Sequence, residues 1–304
     1  MYYRIGCLTF LILLSTIASE AQEFIPLWPS GKMPNTKGMR LKDSINNERV
    51  YQVGVPGMFA FFPSAQENKQ CAVIICPGGG YHHLSYQISG FQLAKWYNTM
   101  GIAAFVLNYR LPNSPDLAKP ETGPLQDAQR AIRVIRANVT RWNLQPDKIG
   151  IMGVSAGGHL AASLGNITDD VSAIGDSLNV ISFRPDFTIL VSPVITMGQY
   201  THKGSRENLL GKTPSKEMVD KYSMELQVKS TTPPCFIAGA FNDKGVDPRN
   251  SLYFYQALLE KNISTSFHVF PQGGHNIALR NNPGSTQLWT TLCEEWLVEM
   301  GFVK

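Results

Sequence analysis

Six short apolar runs, alternating with stretches of helical periodicity, limit what this chain can fold into more than any other feature. The runs are "CAVIIC" (71–76), "IAAFVLN" (102–108), "KIGIMG" (148–153), "FTILVS" (187–192), "CFIAGA" (235–240) and "TSFHVF" (265–270). Helical patterns fall near 87–100, 124–142, 156–165, 247–262 and 285–300. A strand that is apolar along its whole length has two faces to cover. Alternation with helices then specifies a mostly parallel sheet with helices on both faces, an α/β fold. Ahead of these runs, "FIPLWPSGKMPNTKGMRLKDS" reads as an irregular arm and "ERVYQVGVPGMFAFFP" as a hairpin. With the hairpin counted as two strands, residues 193–234 form an insertion between the sixth and seventh strands. That interval is too long for a simple crossover, and it falls at the strand ends where α/β sheets bind ligands. No repeat or low-complexity linker divides the chain, so one domain over residues 22–304 is expected.

Residues 1–21 stand apart. Arg4, an apolar run from Leu8 to Ala18 and the small-x-small triplet Ser19-Glu20-Ala21 read as a cleavable signal peptide, which implies a secreted or periplasmic location. No later segment approaches the ~20 apolar residues of a membrane span. A net charge of +4 without a basic block gives no reason to expect nucleic acid as a partner. Cys71 and Cys76 lie five apart along one run and face opposite ways, and Cys235 and Cys293 sit in apolar patterns. Free buried thiols are the expectation.

"GIMGVSAGGHLAASLG" (150–165) contains Gly153-Val154-Ser155-Ala156-Gly157, a G-x-S-x-G pentapeptide. Alone it arises in roughly one chain in ten of this length. Its placement carries more weight: a strand pattern precedes it and a helical pattern follows, the setting of a nucleophile elbow. A serine hydroxyl needs a base to become a nucleophile at neutral pH. Of the six histidines, His268 lies within a strand pattern, His159 in the elbow helix, His82 and His83 beside a glycine loop, and His202 in the insertion. His275 follows the last strand on a glycine-rich loop and is the candidate base. Asp243, just past the strand of residues 235–240, is the candidate orienting carboxylate. Asp247, before Pro248 at a helix start, reads as a cap. The order Ser155, Asp243, His275 is that of α/β-hydrolase triads. "PGGG" after the strand of residues 71–76 offers backbone amides for an oxyanion, with Ala156 completing the hole. It lacks the G-K-[ST] ending of a phosphate loop. No metal-ligand spacing occurs, so neither metal nor organic cofactor is expected. Trp28, Trp142, Trp289 and Trp296 could stack on sugars, though the last three lie in helical patterns typical of core.

On these residues the chain resembles α/β-hydrolase serine esterases, of the hormone-sensitive-lipase-like group and of the bacterial secreted acetyl-xylan/feruloyl esterases. The resemblance runs through "PLWPSGKMPN", "CPGGGY", "GIAAFVLNYRLP", "PLQDAQRAIRVIRANV", "GVSAGGHLAA", "RPDFTILVSPVITM", "NDKGVDPRNSLYFYQAL" and "GGHNIAL". It implies an α/β-hydrolase fold, a triad on Ser155, Asp243 and His275, and oxyanion donors on Gly79, Gly80 and Ala156. It departs from that pattern at Pro77, where lipase-like relatives carry histidine, and at Asn276, where relatives often carry glycine. The expected substrate is a small-molecule or oligosaccharide ester carrying a short acyl group, acetyl on xylan or a related polysaccharide. The arm of residues 24–47 and the insertion of 193–234 are both expected over the C-terminal edge of the sheet. A serine exopeptidase on the same fold and a non-catalytic carbohydrate-binding homologue are the alternatives.

Overall fold

The structure, a computed structural model, describes residues 23–275 and 277–304. The leader expected at 1–21 and the departure at Asn276 lie outside the described residues. Ten strands are present among them: β1 (Phe24–Pro26), β2 (Ser44–Asn46), β3 (Arg49–Gln52), β4 (Gly57–Phe61), β5 (Ala72–Cys76), β6 (Ala103–Asn108), β7 (Ile149–Val154), β8 (Thr188–Val191), β9 (Cys235–Ala240) and β10 (Thr265–Phe270). Eight of them form one sheet in the order β1-β4-β6-β5-β7-β8-β9-β10. The pairings from β6 through β10 are parallel; those of β1 with β4 and β4 with β6 are antiparallel. This is the mostly parallel sheet that the alternation implied, and its form is the one that the resemblance implied.

All five residues of β5 and all six of β6 are buried. Their alternate side chains feed two separate cores: Ala72, Ile74 and Cys76 face one, Val73 and Ile75 the other. The first core packs against α2 (Gly123–Ala137), α4 (Ala156–Asn166) and α7 (Arg249–Glu260), through residues such as Ile132, Leu160 and Phe254. The second packs against α1 (Gln92–Thr99) and α8 (Trp289–Glu299), through Leu93, Tyr97 and Trp296. Cys71 joins this second core and Cys76 the first, so the opposite facing of the two thiols holds. All four cysteines among the described residues are free and buried. No helix of the described residues is long and apolar enough to cross a membrane.

Helix α2 is buried on nearly every side, including its cations. Arg130, Arg133 and Arg136 recur every three residues, pairing with Asp176 (2.6 Å), Asp170 (2.6 Å) and Asp186 (2.8 Å). Arg110 pairs with the fully buried Asp127 at 2.8 Å. The three pairs of Arg130, Arg133 and Arg136 tie the irregular segment of residues 167–186 to the helix. The helical pattern of 124–142 is interrupted at Asn138, whose φ of −114° and ψ of 14° leave the helix before the short α3 (Val139–Trp142) begins.

The hairpin expected over residues 48–63 does not form. β3 pairs instead with β2 across Asn47-Glu48, whose φ values of 45° and 57° make a two-residue turn of the primed kind. β4 pairs with β1 and β6. The segment between β3 and β4 carries the chain from one sheet to the other. At Gly54 it passes so close to Leu41 that a Cβ would lie 2.5 Å from the Leu41 carbonyl.

From β5 the chain runs through α1 to β6 on one side, then crosses back through α2 to β7 on the other. The order therefore reverses between β5 and β7, and the crevice outside their carboxyl ends is where this architecture holds ligands.

Candidate active site

Two loops leave the sheet at that crevice. Ser155 follows β7 at φ 56°, ψ −121° and begins α4. A side chain in that conformation is strained by ~1–3 kcal/mol, and the surrounding packing has to hold it there. Added Cβ atoms at Gly153 and Gly157 would lie 2.0 Å from the carbonyl oxygens of Gly157 and Cys76. Both positions therefore admit only glycine, which accounts for the spacing of the pentapeptide. Ser155 itself donates its amide to Val191 and accepts at its carbonyl from the amides of His159 and Val194.

The structure brings Ser155, His275 and Asp243 into one line. Ser155 Oγ lies 2.9 Å from His275 Nε2, and His275 Nδ1 lies 2.8 Å from Asp243 Oδ2. The Asp243 side chain is 3% exposed, and its other oxygen accepts from the amides of Gly245 (2.8 Å) and Val246 (2.9 Å). The carboxylate is thus fixed by its own loop before it meets the imidazole. Gly245 has to be glycine for the ring to fit, since a Cβ there would come within 2.9 Å of His275 Cγ. A hydroxyl, an imidazole and a buried carboxylate in this order can move a proton off the hydroxyl and stabilise the imidazolium that results.

The second loop, Gly78-Gly79-Gly80, follows β5. Its carbonyls are all engaged: Gly78 accepts from Ser85 (2.8 Å), Gly79 from His82 (3.0 Å) and His83 (3.2 Å), and Gly80 from Asn208 Nδ2 (2.8 Å). The Gly78 amide donates to Ser89 Oγ at 3.1 Å. Among the described residues the amides of Gly79, Gly80 and Ala156 find no protein acceptor. Gly79 has φ +136°, and a Cβ on it would lie 2.0 Å from the His83 carbonyl. Three unspent N–H groups beside a serine hydroxyl can hold an oxyanion. Ser89 and Asn208, which fix the loop, carry no signal in the sequence. Ser89 owes its place to a π-type turn over Gln87–Phe91, and Asn208 lies in the insertion.

Gly78–Gly80 and Ser155 border a cavity of about 460 Å³. Its lining divides by chemistry. Leu93, Met152, Val191, Ile277 and Trp289 make an apolar wall and all belong to the second core. His82, His83, His202, Ser85 and Asn208 gather about the glycine loop. The insertion contributes His202 and Asn208 through α5 (Lys203–Leu210) and the residue before it, so it does lie over the strand ends as expected. The arm packs on the loop after β6, where Arg110 holds the Pro34 carbonyl at 2.7 Å and Asp116 accepts from Thr36 and the Lys37 amide, but it does not reach the cavity. No residue of 24–47 lines the cavity; Trp28 lies between Arg110 and Arg130, donating to Asp127 at 2.8 Å. Proline and glycine made the arm legible as irregular but held no information on where its tryptophan would be buried.

The remaining histidines are accounted for. His159 is fully buried, with Nε2 2.7 Å from the Tyr222 carbonyl and Nδ1 2.8 Å from the Tyr81 hydroxyl. A carbonyl only accepts, so the ring proton sits on Nε2 and Tyr81 donates to Nδ1. Burial pushes the pKa of this imidazole down to about 4. His268 lies in β10 beside Ser266 Oγ at 2.8 Å. Asp247 caps α7, accepting from the Arg249 amide at 3.0 Å. Trp142, Trp289 and Trp296 are core residues, and Pro77 accepts from the Tyr109 hydroxyl at 2.8 Å. Among the described residues no three His, Cys, Asp or Glu side chains converge as a metal site would require.

Fold and site together define an α/β-hydrolase with a Ser–His–Asp arrangement at the switch point of its sheet. Residues 59–258 match the family model BD-FAE, and the chain belongs to that family. It is 34% identical to the acetyl ester-xyloside bifunctional hydrolase of Caldicellulosiruptor lactoaceticus, with a TM-score of 0.78 over 93% of this chain and 98% of that one. Over 257 residues, 82% of this chain and 40% of the relative, it is 38% identical to endo-1,4-beta-xylanase B of Butyrivibrio fibrisolvens. Over 227 residues, 73% of this chain and 44% of the relative, it is 35% identical to an acetylxylan esterase of Xylanibacter ruminicola. The chain thus spans less than half the length of these two curated relatives.

Proposed function

We propose that this protein is a serine carboxylesterase that removes short acyl groups, acetyl foremost, from xylan or a related plant polysaccharide. The observation that carries the reading is the line Ser155–His275–Asp243 beside the three free amides of Gly79, Gly80 and Ala156. Ser155 Oγ attacks the ester carbonyl while its proton passes to His275 Nε2. The tetrahedral oxyanion is held by the Gly79, Gly80 and Ala156 amides. Collapse expels the sugar alkoxide, which takes the proton back from His275, and leaves an acyl-enzyme. Water, deprotonated by the same imidazole, releases the carboxylic acid. Asp243 holds the imidazole with its proton on Nδ1 and stabilises the charge it acquires. The sugar is supported by the names of the acetylxylan esterase and acetyl ester-xyloside hydrolase relatives. The leader pattern of residues 1–21 supports action outside the cytoplasm, where polymeric xylan is met.

The test is turnover of 4-nitrophenyl acetate, acetylated xylan, methyl ferulate and aminoacyl anilides by the wild type and by Ser155→Ala. The wild type should hydrolyse the acetates, and Ser155→Ala should lose at least ~10³-fold in kcat with its fold intact. Near-normal acetate turnover by Ser155→Ala would refute the mechanism, and a preference for the anilides would refute the substrate class.

A further inference from the structure

His202 stands just before α5, and its side chain caps that helix: Nδ1 accepts from the Ser205 amide at 3.2 Å and lies 2.8 Å from Ser205 Oγ. A backbone amide only donates, so Nδ1 keeps its lone pair and the ring proton sits on Nε2. Ser205 is fully buried, which fixes the ring at that edge. The rest of the ring faces the cavity, and among the described residues Nε2–H meets no protein acceptor. The ring also stands beside the glycine loop: a Cβ at Gly80 would lie 3.8 Å from His202 Cε1. Asn208, on the same helix, holds the Gly80 carbonyl. Burial lowers the pKa of His202, and the neighbouring His275 lowers it further, so the neutral donor form persists. His82 offers no comparable fixed donor: it is exposed, with its Nδ1 3.4 Å from that of His83.

We propose that the Nε2–H of His202 donates to a ring hydroxyl next to the scissile ester, making His202 the residue that selects sugar esters over simple aryl or alkyl esters. The proposal rests on the carbohydrate-ester reading above. The two chemistries of the lining set the orientation: the acyl methyl group turns to the apolar core side chains, and the hydroxyl-bearing ring is left beside the glycine loop and its histidines. A directed donor rewards an alcohol that carries an acceptor beside the ester oxygen, and a nitrophenol has none there. Such a bond is worth about tenfold in discrimination.

The experiment compares kcat/KM for a monoacetylated methyl β-xyloside, its analogue lacking the hydroxyl beside the ester, and 4-nitrophenyl acetate. The variant is His202→Asn, because asparagine caps a helix well yet is too short to carry a donor into the cavity. In the wild type, loss of the neighbouring hydroxyl should lower kcat/KM about tenfold. In His202→Asn the ratio of xyloside acetate to aryl acetate should fall by a similar factor, and the penalty for the missing hydroxyl should vanish. A wild type indifferent to that hydroxyl overturns the proposal without recourse to any variant, as does a ratio preserved in a folded His202→Asn. A wild type that hydrolyses the aryl ester but neither xyloside overturns the carbohydrate reading and this proposal with it.

Discussion

Asp243 and Asp247 stand four residues apart on one loop, and their surroundings give them different work. Asp243 spends one oxygen on two amides of its own turn and the other on His275, whereas Asp247 is tied to the Arg249 amide and guanidinium. Asp243→Asn should therefore lower kcat by about 10³–10⁴-fold with little loss of stability, because the amide misorients the imidazole. Asp247→Ala should cost about 1 kcal/mol of stability as a lost cap, and little turnover. Kinetics and urea denaturation of the two variants check this, and the reverse pattern would exchange the roles. At this scale the sequence was informative wherever a rule of local chemistry applied. Proline after Asp247 marked a cap, and glycines around Ser155 marked a turn that excludes side chains. Ser89, Asn208 and His202 obey no such rule. They act through contacts made across long sequence separations, and nothing near them in the chain announces those contacts.

Among the elements, the continuously apolar strands were legible because burial on both faces leaves no other residues acceptable. β5 and β6 bear this out position by position. Pairing partners were less legible: β3 and β4 each alternate well enough for a hairpin, yet a turn at Asn47-Glu48 and the edge supplied by β1 gave both strands other neighbours. The arm's absence from the cavity also moves the source of acyl selectivity. The apolar wall is made of core side chains, with Met152 and Trp289 at 0% and 1% exposure, so it cannot yield as a surface loop could. In an aryl-ester series from acetate to octanoate, kcat/KM should fall steeply beyond butyrate. Each methylene that merely fits changes binding by only ~1–3 kcal/mol, so a steep loss would report steric exclusion. A maximum at octanoate would show instead that the wall opens.

For the molecule as a whole, His159 joins three parts that are distant in sequence: the glycine loop through Tyr81, the helix after Ser155, and the insertion through the Tyr222 carbonyl. Its folded pKa of about 4 lies below the unfolded value of 6.5. As pH falls below 6.5 the unfolded chain takes up this proton and the folded chain does not. The contribution to stability is therefore complete above pH 6.5, is lost progressively down to about pH 4, and amounts to about 3 kcal/mol. Urea midpoints between pH 7 and 4 should fall more steeply for the wild type than for His159→Gln; parallel slopes would contradict this. Composition could not have exposed such a link, since a histidine in an apolar helix pattern reads the same whether it is packed or bonded.

The strand order has a temporal side as well. Ser155 lies near the middle of the chain, just after a strand flanked by two others, but His275 comes only after β10, an edge strand and the last in sequence among the described residues. A partly synthesised chain that holds the elbow and the glycine loop still lacks the imidazole that faces Ser155 Oγ. The line Ser155–His275–Asp243 is therefore complete only once the segment after β10 has docked.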